Sequence, residues 1–239
     1  MERPIKRIAV IGMGRSGTSF LAQFLAKSGV LFEAPGKKLS KHEHPAAREI
    51  NEAILAGYGA KNGRPYGRLP AEEIPVDDRW RPKAAEFIEH MDRIAASNGG
   101  ADYWAFKDPR TTVVHSLWLD DFDIVAAIFR HPADVVSSYL APGWIKKGGI
   151  ALDYWIRFNR SLLTVNQRYA SEKPVYILDF NDDIPKQLAT LCERLGLPQN
   201  DEAFSLYSKP DSRERPTGLK HEAEAQRIYE ELRQVRNLL

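Results

Sequence analysis

Residues 7–25, RIAVIGMGRSGTSFLAQFL, decide the fold. Ile8, Val10 and Ile11 form an apolar run that reads as a buried strand, while Phe20, Leu21, Phe24 and Leu25 recur at helical spacing. Gly12, Gly14 and Gly17 therefore lie between a strand and a helix. Glycine lets such a turn tighten and aim its N–H groups inward, and the positive end of the helix dipole faces the same cavity. The turn is expected to hold an anion. Compared with G-x-x-x-x-G-K-[ST], Gly12, Gly17 and Ser19 fit, but Thr18 stands where an NTPase keeps its phosphate-binding lysine. The nearest cation is Arg15, inside the loop. A phosphate-like ligand without the Mg-nucleotide apparatus is the reading that follows. A glycine turn can also be no more than a tight connection, so the choice falls to the rest of the chain.

Downstream of this unit, the basic, aperiodic segment 33–48 reads as a solvated loop that leads into a short helix over Glu49 to Leu55. Residues 57–82 hold four glycines and four prolines and read as an irregular excursion. A helix carrying Phe87, Met91, Ile94 and Ala95 ends at Asn98-Gly99-Gly100. Residues 102–107, 123–129 and 174–180 are apolar enough to be buried parallel strands. Pro132 suits the first turn of a helix through Ser138, and a longer helix is expected over 151–169. Asp182 or Asp183 caps a helix that Gly196 stops, and a last charged helix presents Ile228, Leu232 and Val235. This alternation predicts a three-layer α/β/α architecture around a central parallel sheet, with residues 1–239 forming one domain. Residues 33–82 and 208–219 are expected to be loops over the site.

Composition narrows the function classes. A net charge of +2 and a pI near 8.5 are too mild to make nucleic acid or a membrane surface the main partner. Cys192 is the single cysteine, which excludes an intramolecular disulfide and a multi-cysteine metal site, and its apolar neighbours place it in the core. The first strand begins within a few residues of Met1, and no apolar stretch approaches a membrane span of about 18 residues. A cytoplasmic location is the expectation. Oligomeric state is silent.

The strands end in charge: Lys107-Asp108-Pro109-Arg110 after the second, and Arg130-His131-Pro132 after the third. Ligands in open α/β sheets sit beyond such carboxyl ends. Arg130 ends a strand and Ser138 lies about two turns into the next helix, so a guanidinium fork, a hydroxyl and a helix N-terminus can converge on one phosphate. Taken together, RSGTSFL at 15–21, FKDPR at 106–110 and RHPADVVSSYL at 130–140 resemble the sulfotransferase family in order and spacing, over roughly residues 7–180.

That resemblance implies a P-loop-like fold and 3′-phosphoadenosine-5′-phosphosulfate (PAPS) as sulfuryl donor, with 3′,5′-adenosine bisphosphate (PAP) as product and no metal. It implies that Gly14, Arg15, Ser16, Gly17, Thr18 and Ser19 cradle the 5′-phosphosulfate, and that Arg130 and Ser138 bind the 3′-phosphate. Arg213 and Arg215 would be a late basic loop closing over the 3′-phosphate, set against the plainer reading of an exposed turn. Arg15 and Lys107 would stabilise the leaving group. The cytosolic branch of the family has a catalytic histidine where this chain has Pro109, so the base comes from elsewhere. Bacterial members carry an acidic-His pair followed by Asn-Asp after the first helix, and Glu43-His44 with Asn51-Glu52 fit that spacing. Glu43 is the expected base and His44 the competing one. Asp108 and Arg110 are candidate substrate contacts, and a structural ion-pair cluster of Lys107, Asp108 and Arg110 at the strand end is the alternative. The acceptor would be a small molecule or glycan offering a hydroxyl or amine. Two other readings stand beside this one: an ATP-dependent P-loop phosphotransferase, and a nucleotide-binding module without turnover.

Overall fold

The structure, a computed structural model, describes residues 4–33, 42–59, 73–98, 101–143, 145–207 and 215–236. Trp144, Arg213 and residues 60–72 of the glycine- and proline-rich excursion lie outside the described residues.

Four short apolar runs pair as one all-parallel sheet: β1 (Lys6–Ile11), β2 (Tyr103–Lys107), β3 (Ile124–Phe129) and β4 (Val175–Asp179). Their order is β2-β1-β3-β4, with Ile8 opposite Ala105 on one side and opposite Ile124 on the other. Both faces are covered, which is why β3 is buried at every position. Alternate residues serve different cores. Ala9, Ile11, Val125, Ala127 and Phe129 join one, whereas Ile8, Val10, Ala126 and Ile128 join the other.

The first core is closed by α2 (Pro45–Ala56), α3 (Arg81–Ser97), α4 (Pro132–Leu140), α5 (Gly148–Tyr169) and α8 (Glu222–Val235). The second is closed by α1 (Thr18–Lys27), α6 (Ile184–Leu195) and the four-residue α7 (Asp201–Phe204), with Cys192 buried in it. The layers are thus the expected α/β/α. Among the described residues no helix is long and apolar enough to cross a membrane.

Several boundaries differ from the expectation. The helix expected from Glu49 starts at Pro45, because His44 caps it and Pro45 fills its first turn. Pro82, read as part of the irregular excursion, lies in the first turn of α3. Beyond β2 the chain makes three single 3₁₀ turns, Pro109–Thr112, His115–Leu117 and Leu119–Asp121, which carry no periodic signal. Of the two candidate caps for α6, Asp183 is the one used, its carboxylate accepting from the Lys186 N–H.

Candidate functional site

The connection leaving β1 runs to the β2 edge, while that leaving β3 runs the other way to β4. The carboxyl ends of the adjacent strands β1 and β3 therefore flank a topological switch point, where open α/β sheets form a crevice. The glycine turn leaves β1 there, and Arg130 leaves β3.

Close packing dictates the turn. Gly12 has φ +135°, and a Cβ on it would lie 2.2 Å from the Ile128 carbonyl oxygen of β3. Arg15 and Gly17 both take positive φ, at 71° and 103°, so the amides between them fold over one concavity. Helix α1 begins at Thr18 with no side-chain cap and no acidic residue in its first turn, leaving its N-terminal amides and dipole turned to that hollow. The buried hydroxyl of Ser16 has no hydrogen-bond partner among the described residues. Thr18 is buried and Ser19 half-buried, both inside the first turn of α1. These groups fit a phosphate or sulfate, whose oxygens would satisfy the amides and the orphaned hydroxyl.

The β3 side gathers a second group of cationic and hydroxyl side chains. The Trp155 indole N–H donates to the Arg130 carbonyl at 3.0 Å and pins the strand end. The Arg130 guanidinium lies over the Phe180 ring, 5.3 Å from its centroid, with its Nε 3.8 Å from Asp134. Ser138, buried on α4, accepts a 2.8 Å hydrogen bond from Nε of Arg15, and the Tyr139 hydroxyl donates to the Gly14 carbonyl at 3.3 Å. Arg15 therefore reaches from the loop to the residue paired with Arg130 in the sequence reading. Arg215 sits beside this group, held by Asp134 through Nε at 2.7 Å and Nη2 at 3.1 Å. Burial pushes the Asp134 carboxyl up, but hydrogen bonds from Arg215 and Asn181 outweigh it and hold the pKa below the usual value.

At the end of β2 the charged residues interlock. Lys107, with only 1% of its side chain exposed, donates to Glu43 Oε1 at 2.7 Å. Arg110 Nη1 is 2.8 Å from Asp108 and 3.5 Å from Glu43, and its Nη2 donates to Glu52 at 2.9 Å. Asp108 also caps the turn Pro109–Thr112. Asn51, fully buried, donates to Asp108 Oδ2 and Thr111 Oγ1, each at 3.1 Å, and accepts from the Trp118 indole at 2.8 Å. Burial raises the Asp108 carboxyl above the usual value despite Arg110. Burial pushes Glu43 up as well, but Lys107 and Arg110 overcome it, so Glu43 is held low and ionised. The structure thus joins Glu43 to Lys107, Asp108 and Arg110, the three residues for which an ion-pair cluster was the alternative reading, in one network.

His44 has a different placement. Its Nδ1 accepts the Ala46 N–H at 3.3 Å as the cap of α2, and its ring packs on Phe87. His131 does the same for α4, accepting from Ala133 at 3.2 Å. Both sit in the tripeptide His-Pro-Ala, a cap signal that was available to sequence reasoning. A cavity of about 590 Å³ between α2 and α3 is lined by Ala46, Glu49, Ile50 and Ala53 of α2, opposite the face bearing Arg48, Asn51 and Glu52. It is therefore not part of the charged cluster. Sequence reasoning missed Thr111 and Thr112, whose partners lie 60 and 100 residues away. Among the described residues, no group of three His, Cys, Asp or Glu side chains could hold a metal.

No protein-family model matches the chain, and no curated protein sequence does. Among solved structures, the chain is similar to the sulfotransferase domain of the Synechococcus PCC 7002 olefin synthase. The TM-score is 0.59 and the identity 18%, over 97% of this chain and 96% of that one. It is also similar to the sulfotransferase STF1 of Mycobacterium tuberculosis, at TM-score 0.51 and 18% identity over 85% of this chain and 71% of that one. In fold, with its four-stranded parallel sheet between two helical layers, the chain is a counterpart of these bacterial sulfotransferase domains.

Proposed function

We propose that the chain is a single-domain sulfotransferase that uses PAPS and transfers its sulfuryl group to a hydroxyl or amine of a small molecule or glycan. The observation that carries this reading is the 2.8 Å contact between Arg15 and Ser138. It brings a glycine loop without a Walker lysine and the Arg130–Ser138 corner into one crevice, as a ligand with two separated anionic ends requires. The likeness to two sulfotransferase folds supports the same reading.

The amides of residues 15–19, with Ser16 Oγ, would hold the 5′-phosphosulfate end, and Arg130 with Ser138 the 3′-phosphate, Arg15 standing between them. When bound, PAPS supplies the sulfuryl group: the acceptor oxygen bonds to sulfur as the sulfur–oxygen bond to the 5′-phosphate breaks. Glu43 is the base in this reading. It is ionised, takes the acceptor proton on a carboxylate oxygen, and is oriented from behind by Lys107 and Arg110. Its neutralisation leaves the positive charge of Lys107 no longer balanced by Glu43 while the departing phosphate gains negative charge. His44 is the less suitable base because its Nδ1 is engaged as a helix cap. Asp108, with both oxygens bonded inside the protein, anchors Arg110.

Calorimetric titration with PAP, and separately with ATP plus Mg²⁺, tests the donor. The expected result is PAP binding that needs no metal. Tight ATP binding without PAP binding would point to a phosphotransferase. PAP binding without consumption of labelled PAPS across phenols, sugars and amines would leave a module without turnover.

A further inference from the structure

Two adjacent threonines in the turn Pro109–Thr112 face opposite partners. Both are fully buried. Thr111 Oγ1 accepts from Asn51 of α2 at 3.1 Å, and Thr112 Oγ1 accepts from the main-chain N–H of Gly12 at 2.8 Å. The first bond holds the helix that carries Glu52 and is preceded by Glu43. The second holds the glycine turn where it leaves β1. Asp108 caps the same turn, accepts from the same Asn51 and fixes Arg110. The Gly12 N–H is thereby withdrawn from the anion cradle, so the cradle is built from amides further along the loop.

We propose that Thr112 is a positioning residue that sets the donor loop against the Glu43–Lys107–Arg110 cluster, with Thr111 as its counterpart on the α2 side. This inference rests on the sulfotransferase reading. Its physical basis is leverage. The positive φ values at Arg15 and Gly17 shape the cradle internally, but the distance from cradle to base is set by contacts between β1, the 3₁₀ turn and α2, alongside the β1–β2 pairing that places Lys107 on Glu43. In-line transfer is sensitive to that distance, a misplacement of about 1 Å being worth roughly 10²-fold in rate.

Thr112→Val keeps the shape and removes the acceptor, while Thr112→Ser retains it. For Thr112→Val, PAPS turnover with a mixture of phenols, sugars and alcohols is expected to fall about 10²-fold at saturating donor, with the Kd for PAP within about threefold of wild type. Thr112→Ser is expected to recover most of the rate. Equal losses in PAP affinity and turnover, equal damage from serine and valine, or an unchanged rate would each overturn the proposal. Amide hydrogen exchange separates this from failure of the sulfotransferase reading. If wild type neither binds PAP nor consumes PAPS, that reading falls. The Thr112 contact is then judged by whether Gly12 exchange accelerates in the valine variant and not in the serine variant; unchanged protection in both overturns it. Should the valine variant not fold, Thr112→Cys, whose sulfur is a weak acceptor, takes its place with the same outcomes.

Discussion

Gly12→Ala should do much more damage than an alanine at Gly29, another positive-φ glycine, and the structure says by how much. At φ +135° an L-residue is strained by about 1–3 kcal/mol. The added methyl would also stand 2.2 Å from a main-chain oxygen of Ile128 and 3.1 Å from the Thr18 side chain. The oxygen belongs to the central strand β3 and has no rotamer with which to move away. Overpacking of this kind costs about 1–3 kcal/mol, so the two effects together cost about 4 kcal/mol. At about 2–4 °C per kcal/mol for a chain of this size, Tm should drop by about 8–16 °C. Gly29 is the control: its φ is +100°, and nothing lies within 4 Å of its Cβ position. Gly29→Ala should show the backbone strain alone, about 1 kcal/mol, or about 2–4 °C. Thermal unfolding followed by circular dichroism reads both, and PAP titration at 20 °C below each midpoint reads the loop. Midpoints within 3 °C of each other would refute the claim that contact with β3, rather than conformation, makes Gly12 indispensable.

Glu43→Gln should retain PAP binding and lose about 10²–10⁴-fold in turnover; wild-type rates would move the base elsewhere. Arg130→Ala should weaken PAP while hardly changing affinity for adenosine 5′-phosphosulfate, and equal losses would reassign Arg130. Lys107→Met leaves Glu43 without its 2.7 Å partner and should cost about 3–5 kcal/mol in urea unfolding, much of it regained in the Lys107→Met, Glu43→Gln double variant. His115 is fully buried, and burial lowers its pKa below the ordinary 6.5. The unfolded chain therefore takes up the proton first. His115 contributes stability that is present above pH 6.5 and lost as pH falls towards its folded value, with a slope of at most about 1.4 kcal/mol per pH unit. His115→Leu should flatten that part of the stability curve, and an unchanged slope would place the titration in another group such as His131.

The unit from Lys6 to Lys27 was legible because strand, turn and helix are contiguous and each has its own period. The remaining strands were legible for the same reason, as uninterrupted apolar runs. The α2 start was missed even though His44-Pro45-Ala46 repeats His131-Pro132-Ala133, because the second tripeptide followed an evident strand and the first followed a basic, aperiodic segment. Which charges pair at the end of β2 could not be read. Lys107 meets a carboxylate 64 residues earlier, and Arg110 chooses among three acids through tertiary placement alone. Hydroxyl-to-amide contacts such as Thr112 to Gly12 leave no periodic trace at all.

The strand order has a consequence for how such a protein can change. The donor contacts proposed for residues 14–19, Arg130 and Ser138 follow β1 or β3 at the centre of the sheet, whereas Glu43, α2 and α3 belong to the long crossover that returns at the edge strand β2. Lengthening a connection costs little, about 0.6 kcal/mol for each doubling of a flexible loop. The two halves of the proposed reaction are therefore separable along the chain. On the proposed reading, grafting or extending the crossover between α2 and α3 would change acceptor preference, while the central strands would keep one unaltered grip on the donor.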